Sequence, residues 1–404
     1  MEHFITDVRI GKVRHLRNID IKLDAEKRQH LILTGKNGSG KSSVLEALKN
    51  SLLAISKKNV YCDKNGRMVY KEFAPAVFDT TRWGENETIT KIETVYNRGE
   101  DVYISYYPQG QFITAFFPAI RPVNDITEPQ GVDEVTLKPV FTVDDDPAKD
   151  IAKYMVHLKT QQLYAKDAND ARTEQNIEAW FKRFEDSLKI LLDDASVRLK
   201  YEYKKYSFEI QQDGREQVNF NELSDGYASV FRIFADLIMR MDQNWLSGNQ
   251  LSEYNKEGVV LIDEIETHLH LELQKTILPS LIKLFPRVQF IISAHSPFVL
   301  SSIENVVIYD LENNTLVNQP QGLTDVPYDG IVEGYFHADK LSTLLRGKYE
   351  RFKELVAKKD VTDEDMREIS QLEVFLDEIP DYLALDISTE YKRMKSEFEA
   401  REDL

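Results

Sequence analysis

The chain has 404 residues, of which 42% are hydrophobic, and this is enough to build the core of one large lobed domain or of two ordinary domains. It contains no run of about 18 consecutive apolar residues, and its first ten residues lack the pattern of a signal peptide, so we expect a cytoplasmic protein with no membrane partner. The formal net charge of −17 disfavours strong non-specific binding to DNA, so a nucleic-acid partner stays open but is not indicated by charge.

The first 55 residues predict two strands, a third strand and a helix. Residues 3–9 and 19–23 alternate apolar and polar side chains, which predicts a β-hairpin. Residues 29–34 (QHLILT) form a short apolar run that is typical of a buried strand. A glycine-rich loop follows this run, and residues 42–55 then have the pattern of a helix.

The loop between this strand and helix matches G-x-x-x-x-G-K-[ST], in which backbone N–H groups and the helix N-terminus surround phosphate oxygens. We expect Lys41 to bridge the β- and γ-phosphates of ATP and Ser42 to supply a hydroxyl ligand to Mg²⁺. The residues expected to bind the phosphates are Gly35, Asn37, Gly38, Ser39, Gly40, Lys41, Ser42 and Ser43.

The middle of the chain predicts a β-rich part and a helical part. Residues 88–96, 102–107 and 112–117 are β-branched or aromatic runs, and we expect them to form an antiparallel meander beside the nucleotide core. Residues 121–146 predict a surface loop, and residues 150–192 predict two or three helices. Residues 197–203 and 206–211 predict a strand pair, although the basic and aromatic residues at 198–205 are also compatible with a basic patch.

A second segment with chemical potential is residues 258–264 (GVVLIDE), an apolar strand that ends in two acidic residues. Ligands of open α/β sheets bind at the carboxyl ends of strands, so we expect Asp263 to hold Mg²⁺ through water. Glu264 is then placed to orient or deprotonate the water that attacks the γ-phosphate. Taken alone, two acids after a strand more often begin a loop.

Two further segments follow the same logic. Residues 288–293 predict a strand that ends just before His295, which would contact the γ-phosphate or have a structural role. Residues 223–227 (LSDGY) precede an amphipathic helix, so their N–H groups and the Ser224 hydroxyl would bind an anion or cap the helix. From about residue 341 the pattern indicates charged amphipathic helices.

In chain order, GKNGSGKS, LSDGY, VVLIDE and SAHS resemble the Walker A, signature, Walker B and switch-histidine motifs of ATP-binding cassette (ABC) ATPases. The resemblance implies an α/β fold: a P-loop core sheet with a flanking antiparallel β-lobe, a helical insertion lobe and C-terminal helices. It also implies ATP and Mg²⁺ as cofactors, and a head-to-tail dimer or higher homo-oligomer sandwiching ATP. In that dimer Ser224 and Gly226 would act on the ATP of the other subunit.

Residues 263–274 and 292–302 are most similar to the soluble branch of this class, which includes SMC, Rad50, RecF and OLD-like ATPases. Within it, the chain looks most like the small ATPases of Septu- or PARIS-type phage defence. Asp225 and Tyr227 depart from the usual LSGGQ signature, and residues 267–270 replace the usual D-loop aspartate. No clear Q-loop is visible, and among Gln109, Gln111 and Arg121 we favour Arg121 for that position.

We divide the chain into four parts. They are residues 1–120, with Walker A and the β-lobe; 121–218, with a loop, a helical insertion and a strand pair; 219–335, with the signature, Walker B and the switch histidine; and 336–404, a helical region for partner docking.

The leading hypothesis is an ATPase that converts ATP and water to ADP and phosphate, with Glu264, His295 and Lys41 as catalytic residues. It would act as the sensor or regulator of a separate nuclease or toxin in phage defence, because we recognise no nuclease domain on this chain. The alternative is an ATP-dependent DNA clamp of the RecF or Rad50 kind. Duplex binding over a salt series separates the two, since a clamp predicts tight binding with a steep salt dependence.

Overall fold

The computed structural model describes residues 2–56, 60–62, 68–70, 91–98, 106–122, 124–243, 254–318, 322–332, 343–358, 360–377 and 385–400. The chain divides by compactness into two units, Met1–Tyr328 and Asp329–Leu404. The four-part division made from the sequence stays a prediction. Among the described residues, no helix combines the length and the apolar character that crossing a membrane requires.

A six-stranded sheet forms the centre of the larger unit, with the order β14-β13-β3-β12-β11-β7. All neighbouring pairs are parallel except the edge pair of β13 and β14. Every residue of β3, β11, β12 and β13 is buried, as expected for parallel strands covered on both faces. The strands are His30–Thr34 (β3), Phe112–Phe117 (β7), Glu257–Ile262 (β11), Val288–Ser293 (β12), Val306–Asp310 (β13) and Thr315–Val317 (β14).

An antiparallel sheet flanks the core, and it confirms the hairpin predicted near the N-terminus. Its order is β2-β1-β6, with strands Leu16–Lys22, Ile5–Val13 and Lys91–Tyr96. The buried face of this sheet shares one hydrophobic core with helix Lys41–Ser56 (α1). A small separate hairpin is formed by Val60–Cys62 (β4) and Met68–Tyr70 (β5).

The predicted meander is wrong for its last strand. β7 pairs in parallel with β11, with Ile113 opposite Gly258, so it belongs to the core sheet rather than to the antiparallel flank. Parallel pairing is possible because a long stretch of chain separates the two strands, and Gly258 leaves the space that Ile113 fills. Residues 88–90 and 102–105 of the predicted meander lie outside the described residues.

The helical insertion is confirmed. After a short 3₁₀ turn, Pro147–Asp150, the helices Ile151–Asp167 (α2) and Ala171–Leu191 (α3) form an antiparallel pair. They are followed by a three-stranded antiparallel sheet, which consists of Arg198–Glu202 (β8), Ser207–Gln211 (β9) and Val218–Asn219 (β10). The sequence 198–205 therefore forms an ordinary strand and turn, as its alternation predicts.

Helix Asp225–Asp242 (α4) packs against the helical insertion. The fully buried rings of Phe184 and Phe234 lie 5.3 Å apart, which packs α3 against α4. The predicted surface loop at 121–146 is held against α4 by charge: Arg232 contacts Asp125 and Asp146. The remaining helices of this unit are Leu271–Leu284 (α5) and Pro297–Leu300 (α6), and a single helical turn, Tyr328–Gly330 (α7), spans the sequence boundary of the two units.

The smaller unit confirms the predicted C-terminal helices, which are Thr343–Val356 (α8), Asp363–Asp377 (α9) and Leu385–Glu399 (α10). They enclose a hydrophobic core of their own. Phe352 is fully buried in this core.

Candidate functional site

The predicted nucleotide-binding residues lie at one edge of the core sheet. β3 leads into the glycine loop, β11 leads into Asp263 and Glu264, and β12 leads into His295. These strands are parallel and adjacent, in the order β3, β12, β11, so their carboxyl ends share one edge. The topology thus gathers into one place residues that are more than 200 positions apart in the sequence.

The glycine loop has the backbone conformation that its sequence requires. Gly35, Gly38 and Gly40 have φ angles of +126°, +86° and +103°, which side-chain-bearing residues rarely adopt. A Cβ atom on Gly35 would lie 2.9 Å from the Ser39 hydroxyl, and one on Gly40 would lie 2.9 Å from Leu16. The loop therefore depends on glycine at both positions.

The phosphate cradle fits a nucleotide. The Ser39 hydroxyl is buried and has no hydrogen-bond partner, while Asn37 and Gly38 are exposed beside it. Ser42 lies in the first turn of α1 with an exposed side chain, and Ser43 follows it half-buried. A cavity of about 520 Å³ opens next to the loop and is bounded by His15, Arg17 and Asn37 among others, which is room for the nucleoside part of the ligand.

Lys41 is buried within the loop, where its Nζ donates to the carbonyl oxygens of Gly35 (2.8 Å) and Lys36 (3.2 Å). Burial lowers the pKa of Lys41, while Glu264 and Asp263 act in the opposite direction. The ammonium group therefore lies within the electrostatic reach of both carboxylates, and phosphate oxygens can replace the two carbonyl acceptors.

Asp263 and Glu264 are fixed by Ser293, the last residue of β12. The Ser293 hydroxyl donates to Asp263 Oδ1 (2.5 Å) and accepts from the Glu264 N–H (2.7 Å). Glu264 has a φ of +44°, which directs the chain sharply away from β11. Its Oε2 accepts a hydrogen bond from Thr267 Oγ1 at 3.3 Å. The sequence did not single out Ser293, although its position at a strand end in this sheet was visible.

His295 lies beside the same charges. Burial, followed by the charge of Lys41, lowers the pKa of His295, and Glu264 and Asp263 oppose this. Its Nε2 is buried without a hydrogen-bond partner, and its backbone N–H donates to the Glu266 carboxylate. Glu266 was not identified from the sequence either. Burial raises the pKa of its carboxyl group. It joins the turn after β11 to the turn after β12.

The two predicted signature residues, Ser224 and Gly226, have different surroundings. Ser224 precedes α4, is exposed, and makes no side-chain capping bond, so helix capping does not occupy its hydroxyl. Gly226 lies against the turn that replaces the D-loop, because a Cβ atom there would be 2.8 Å from the His268 carbonyl oxygen. The start of α4 and the turn at 267–270 are therefore in direct contact.

Arg121, which we favour for the Q-loop position, lies shortly after β7. Its guanidinium is buried and donates to four protein oxygens: those of Pro118, Asp263 and Glu264 in the backbone and that of the Ser229 side chain. Burial lowers the pKa of Arg121 to about 10, opposed by Glu266, Asp263 and Glu264. All three guanidinium nitrogens of Arg121 therefore donate hydrogen bonds to the protein itself.

No group of three or more histidine, cysteine or acidic side chains among the described residues is arranged to hold a metal ion. A Mg²⁺ ion bound by Ser42, water, Asp263 and phosphate oxygens needs no such cluster, since Mg²⁺ in nucleotide sites keeps few protein ligands.

A family model described as "AAA domain, putative AbiEii toxin, Type IV TA system" matches residues 31–301. The chain is 32% identical to the Retron Ec83 probable ATPase of Escherichia coli over 154 residues, which is 37% of this chain and 27% of the relative. It is 25% identical to the Septu protein PtuA of Bacillus mycoides (strain KBAB4) over 318 residues, which is 77% of this chain and 41% of the relative. The matched regions thus span well under half of either relative.

Among solved structures, the SmcHead bound to the C-winged helix domain of ScpA matches with a TM-score of 0.42 and 12% identity, covering 80% of this chain and all of that one.

Proposed function

This chain belongs to that family of AAA domains, and we propose that it is an ABC-type ATPase of anti-phage defence that hydrolyses ATP in a head-to-tail dimer and regulates a separate effector. One observation carries the proposal. Lys41, Asp263, Glu264 and His295 interact electrostatically at one place, while the Ser224 hydroxyl at the start of α4 makes no capping bond, and we interpret these as the two halves of a composite site.

Within the first half-site, the glycine loop from Gly35 to Ser43 would hold the phosphates with its N–H groups, and Lys41 would neutralise their charge. Ser42 and Asp263 would hold Mg²⁺. When bound, ATP supplies the γ-phosphoryl group that is transferred to water, and Mg²⁺ neutralises the charge that develops on it. Glu264 would orient the water and accept its proton, and His295 would position the terminal phosphate oxygens.

The second half-site supports a composite dimer. Helix α4 is 18 residues long, so its N-terminus carries a partial positive charge, and Ser224 is exposed in front of it. Gly226 lets the start of α4 pack closely against the His268 carbonyl of its own subunit. Ser224 and Gly226 of one subunit would thus close the ATP that lies on the glycine loop of the other.

We expect Glu264→Gln to retain ATP, abolish hydrolysis and trap the dimer, because the amide keeps the shape of the site but accepts no proton. Lys41→Ala should lose ATP binding. Light scattering with ATP and Mg²⁺ should give Glu264→Gln a mass of about 94 kDa, twice the 46.8 kDa of one chain, and Lys41→Ala the mass of a monomer.

The exposed Glu272→Gln on α5 is the matched control, and it should hydrolyse ATP like the wild type. Hydrolysis by Glu264→Gln at the wild-type rate would contradict the role given to Glu264. A monomeric Glu264→Gln at saturating ATP would contradict the dimer.

The effector would be a nuclease or toxin encoded as a separate protein. Two observations support a regulatory role: the likeness to a Septu protein and a retron ATPase, and the small helical unit that follows the ATPase unit. On that unit, Leu344 and Val374 are apolar and exposed (66% and 64%), and we assign them to the docking surface. ATP-dependent dimerisation would change the number or geometry of docked effectors.

A further inference from the structure

Arg121 connects two elements that the proposed mechanism uses separately, the turn after β11 and helix α4. It follows strand β7, and its Nη1 donates to the backbone carbonyls of Pro118 (3.0 Å) and Asp263 (2.9 Å). Its Nη2 donates to the Glu264 carbonyl (3.1 Å), and its Nε donates to the hydroxyl of Ser229 (2.8 Å). Ser229 lies on α4, five residues after Ser224 and therefore roughly 7.5 Å further along the helix.

The choice of arginine has a physical reason. The planar guanidinium presents donors in a rigid fork, whereas the lysine ammonium is a single point charge and cannot span the turn and the helix together. Arg121 is only 5% exposed, and Ser229 only 1%. Because both side chains are buried, water cannot take the place of a broken hydrogen bond between them. A displacement of α4 therefore moves the guanidinium of Arg121, and the guanidinium moves the backbone of Glu264.

We propose that Arg121 is a positioning residue that couples the two ATP sites of the dimer. It transmits a displacement of helix α4 to Glu264 of the same subunit. The inference rests on the proposed dimer. In that dimer, Ser224 of one subunit contacts the ATP held by its partner, while Glu264 of the same subunit acts on its own ATP. The link through Ser229 and Arg121 would therefore signal to one site that the other is filled.

This link would replace a connection that the chain lacks. Residues 267–270 carry no aspartate at the D-loop position. Gly226 does touch this turn at the His268 carbonyl, but that contact involves backbone only and offers no charged side chain. Arg121 supplies a charged connection instead, with one hydrogen bond to α4 and two to the backbone of Asp263 and Glu264.

The test is a double-mutant cycle on ATP hydrolysis with Ser224→Ala and Ser229→Ala, at protein concentrations where the dimer is assembled. Ser229→Ala removes the acceptor on α4 and leaves the bonds of Arg121 to Asp263 and Glu264. We expect each single variant to lower kcat about tenfold, and the double variant also about tenfold, because both interrupt one path. The KM for ATP of Ser229→Ala should stay within about twofold of the wild type, since neither the glycine loop nor Ser224 is changed.

Three controls accompany the cycle. Ser187→Ala removes another buried helical hydroxyl, which bonds only within α3 to the Arg183 carbonyl, and it should leave kcat unchanged. Ser229→Thr keeps the hydroxyl and should restore kcat to within about threefold of the wild type, which a general packing defect would not allow. Arg121→Lys keeps the charge but loses the fork, and Ser229→Ala should cause no further loss in that background.

The inference is overturned if the losses of Ser224→Ala and Ser229→Ala multiply to about a hundredfold, or if Ser229→Ala hydrolyses ATP like the wild type. Its failure is distinguishable from that of the proposed function. If Glu264→Gln does not dimerise with ATP, the dimer itself is wrong; if it dimerises and the cycle is multiplicative, only the coupling is wrong.

Discussion

His30 shows how burial at a single residue sets a pH limit on the fold. It begins β3, directly upstream of the glycine loop, and its Nδ1 accepts the N–H of Phe290 at 3.1 Å. Burial, helped by the charge of Arg28, lowers the pKa of His30 to about 3. The neutral ring is therefore part of the contact between β3 and β12, the strands that carry the glycine loop and His295.

Between pH 6.5 and 3, the unfolded chain binds a proton at His30 that the folded chain does not, so the free energy of unfolding should decrease as the pH falls. The expected slope from this residue is about 1.4 kcal/mol per pH unit, or about 2 kcal/mol between pH 7 and pH 5. Urea unfolding of the larger unit, followed by tryptophan fluorescence, measures it.

The comparison variant is His30→Asn, which offers an amide oxygen to the same N–H but does not titrate. Its unfolding free energy should fall less steeply than that of the wild type below pH 6.5, and the two slopes should coincide above pH 7.5. Equal slopes at pH 5 would show that His30 is protonated in the folded chain.

Some residues of the candidate site could be identified from the sequence, and others could not. Lys41, Asp263, Glu264 and His295 could be named because they end or begin recognisable segments. Ser293 and Glu266 could not, because a serine in an apolar strand and one more acid in a charged turn have many ordinary explanations. Their importance is visible only in the bonds that join neighbouring turns.

At the scale of elements, the pairing of β7 with β11 depends on one glycine. An added Cβ on Gly258 would lie 2.4 Å from the side chain and the carbonyl oxygen of Ile113, which is far closer than atoms can approach. The strand that delivers Asp263 is thus fitted tightly to the strand that leads to Arg121.

We expect Gly258→Ala to destabilise the larger unit by about 1–3 kcal/mol, because the strands must separate locally. Gly131→Ala is the control, since a Cβ there meets nothing within 4 Å, and its effect should be within about 0.5 kcal/mol. Chemical denaturation of both variants provides the comparison. If Gly258→Ala is as stable as the control, β11 and β7 are not in this register.

Element type was predictable where the local pattern was strong, as in the apolar run of β3 and the helical periodicity of α1, α4 and the C-terminal helices. The assignment of β7 to an antiparallel flank was wrong, because an aromatic-rich strand has the same local pattern in either sheet. Its true partner lies more than 140 residues away, and local pattern carries no information on that pairing.

At the scale of the whole molecule, the smaller unit is the part of the chain that we expect to bind the effector. We expect a tagged Glu264→Gln protein, purified from its native cells with ATP, to carry an effector protein that Leu344→Glu/Val374→Glu in the same background fails to carry. A charge placed in an apolar contact is strongly unfavourable. Mass spectrometry of the bound proteins identifies the partner.

Leu163→Glu is the matched control for this experiment, because Leu163 is also exposed (58%) but lies on α2 of the larger unit. It should retain the partner. Treatment with nuclease should not release the partner, since the net charge of −17 disfavours a nucleic-acid bridge. Release by nuclease would instead favour the DNA clamp.

The sequence alone determined the class of this protein, because phosphate binding needs a particular glycine loop and a parallel sheet needs apolar strands, and both are local patterns. It also determined the order of the four motifs. Only the tertiary structure decided which strands are neighbours, how Ser293 and Glu266 hold the site, and that Arg121 connects the signature helix to the turn of Glu264. These features depend on distances between residues that are remote in the chain, and such distances are set by packing of the whole unit rather than by any local segment.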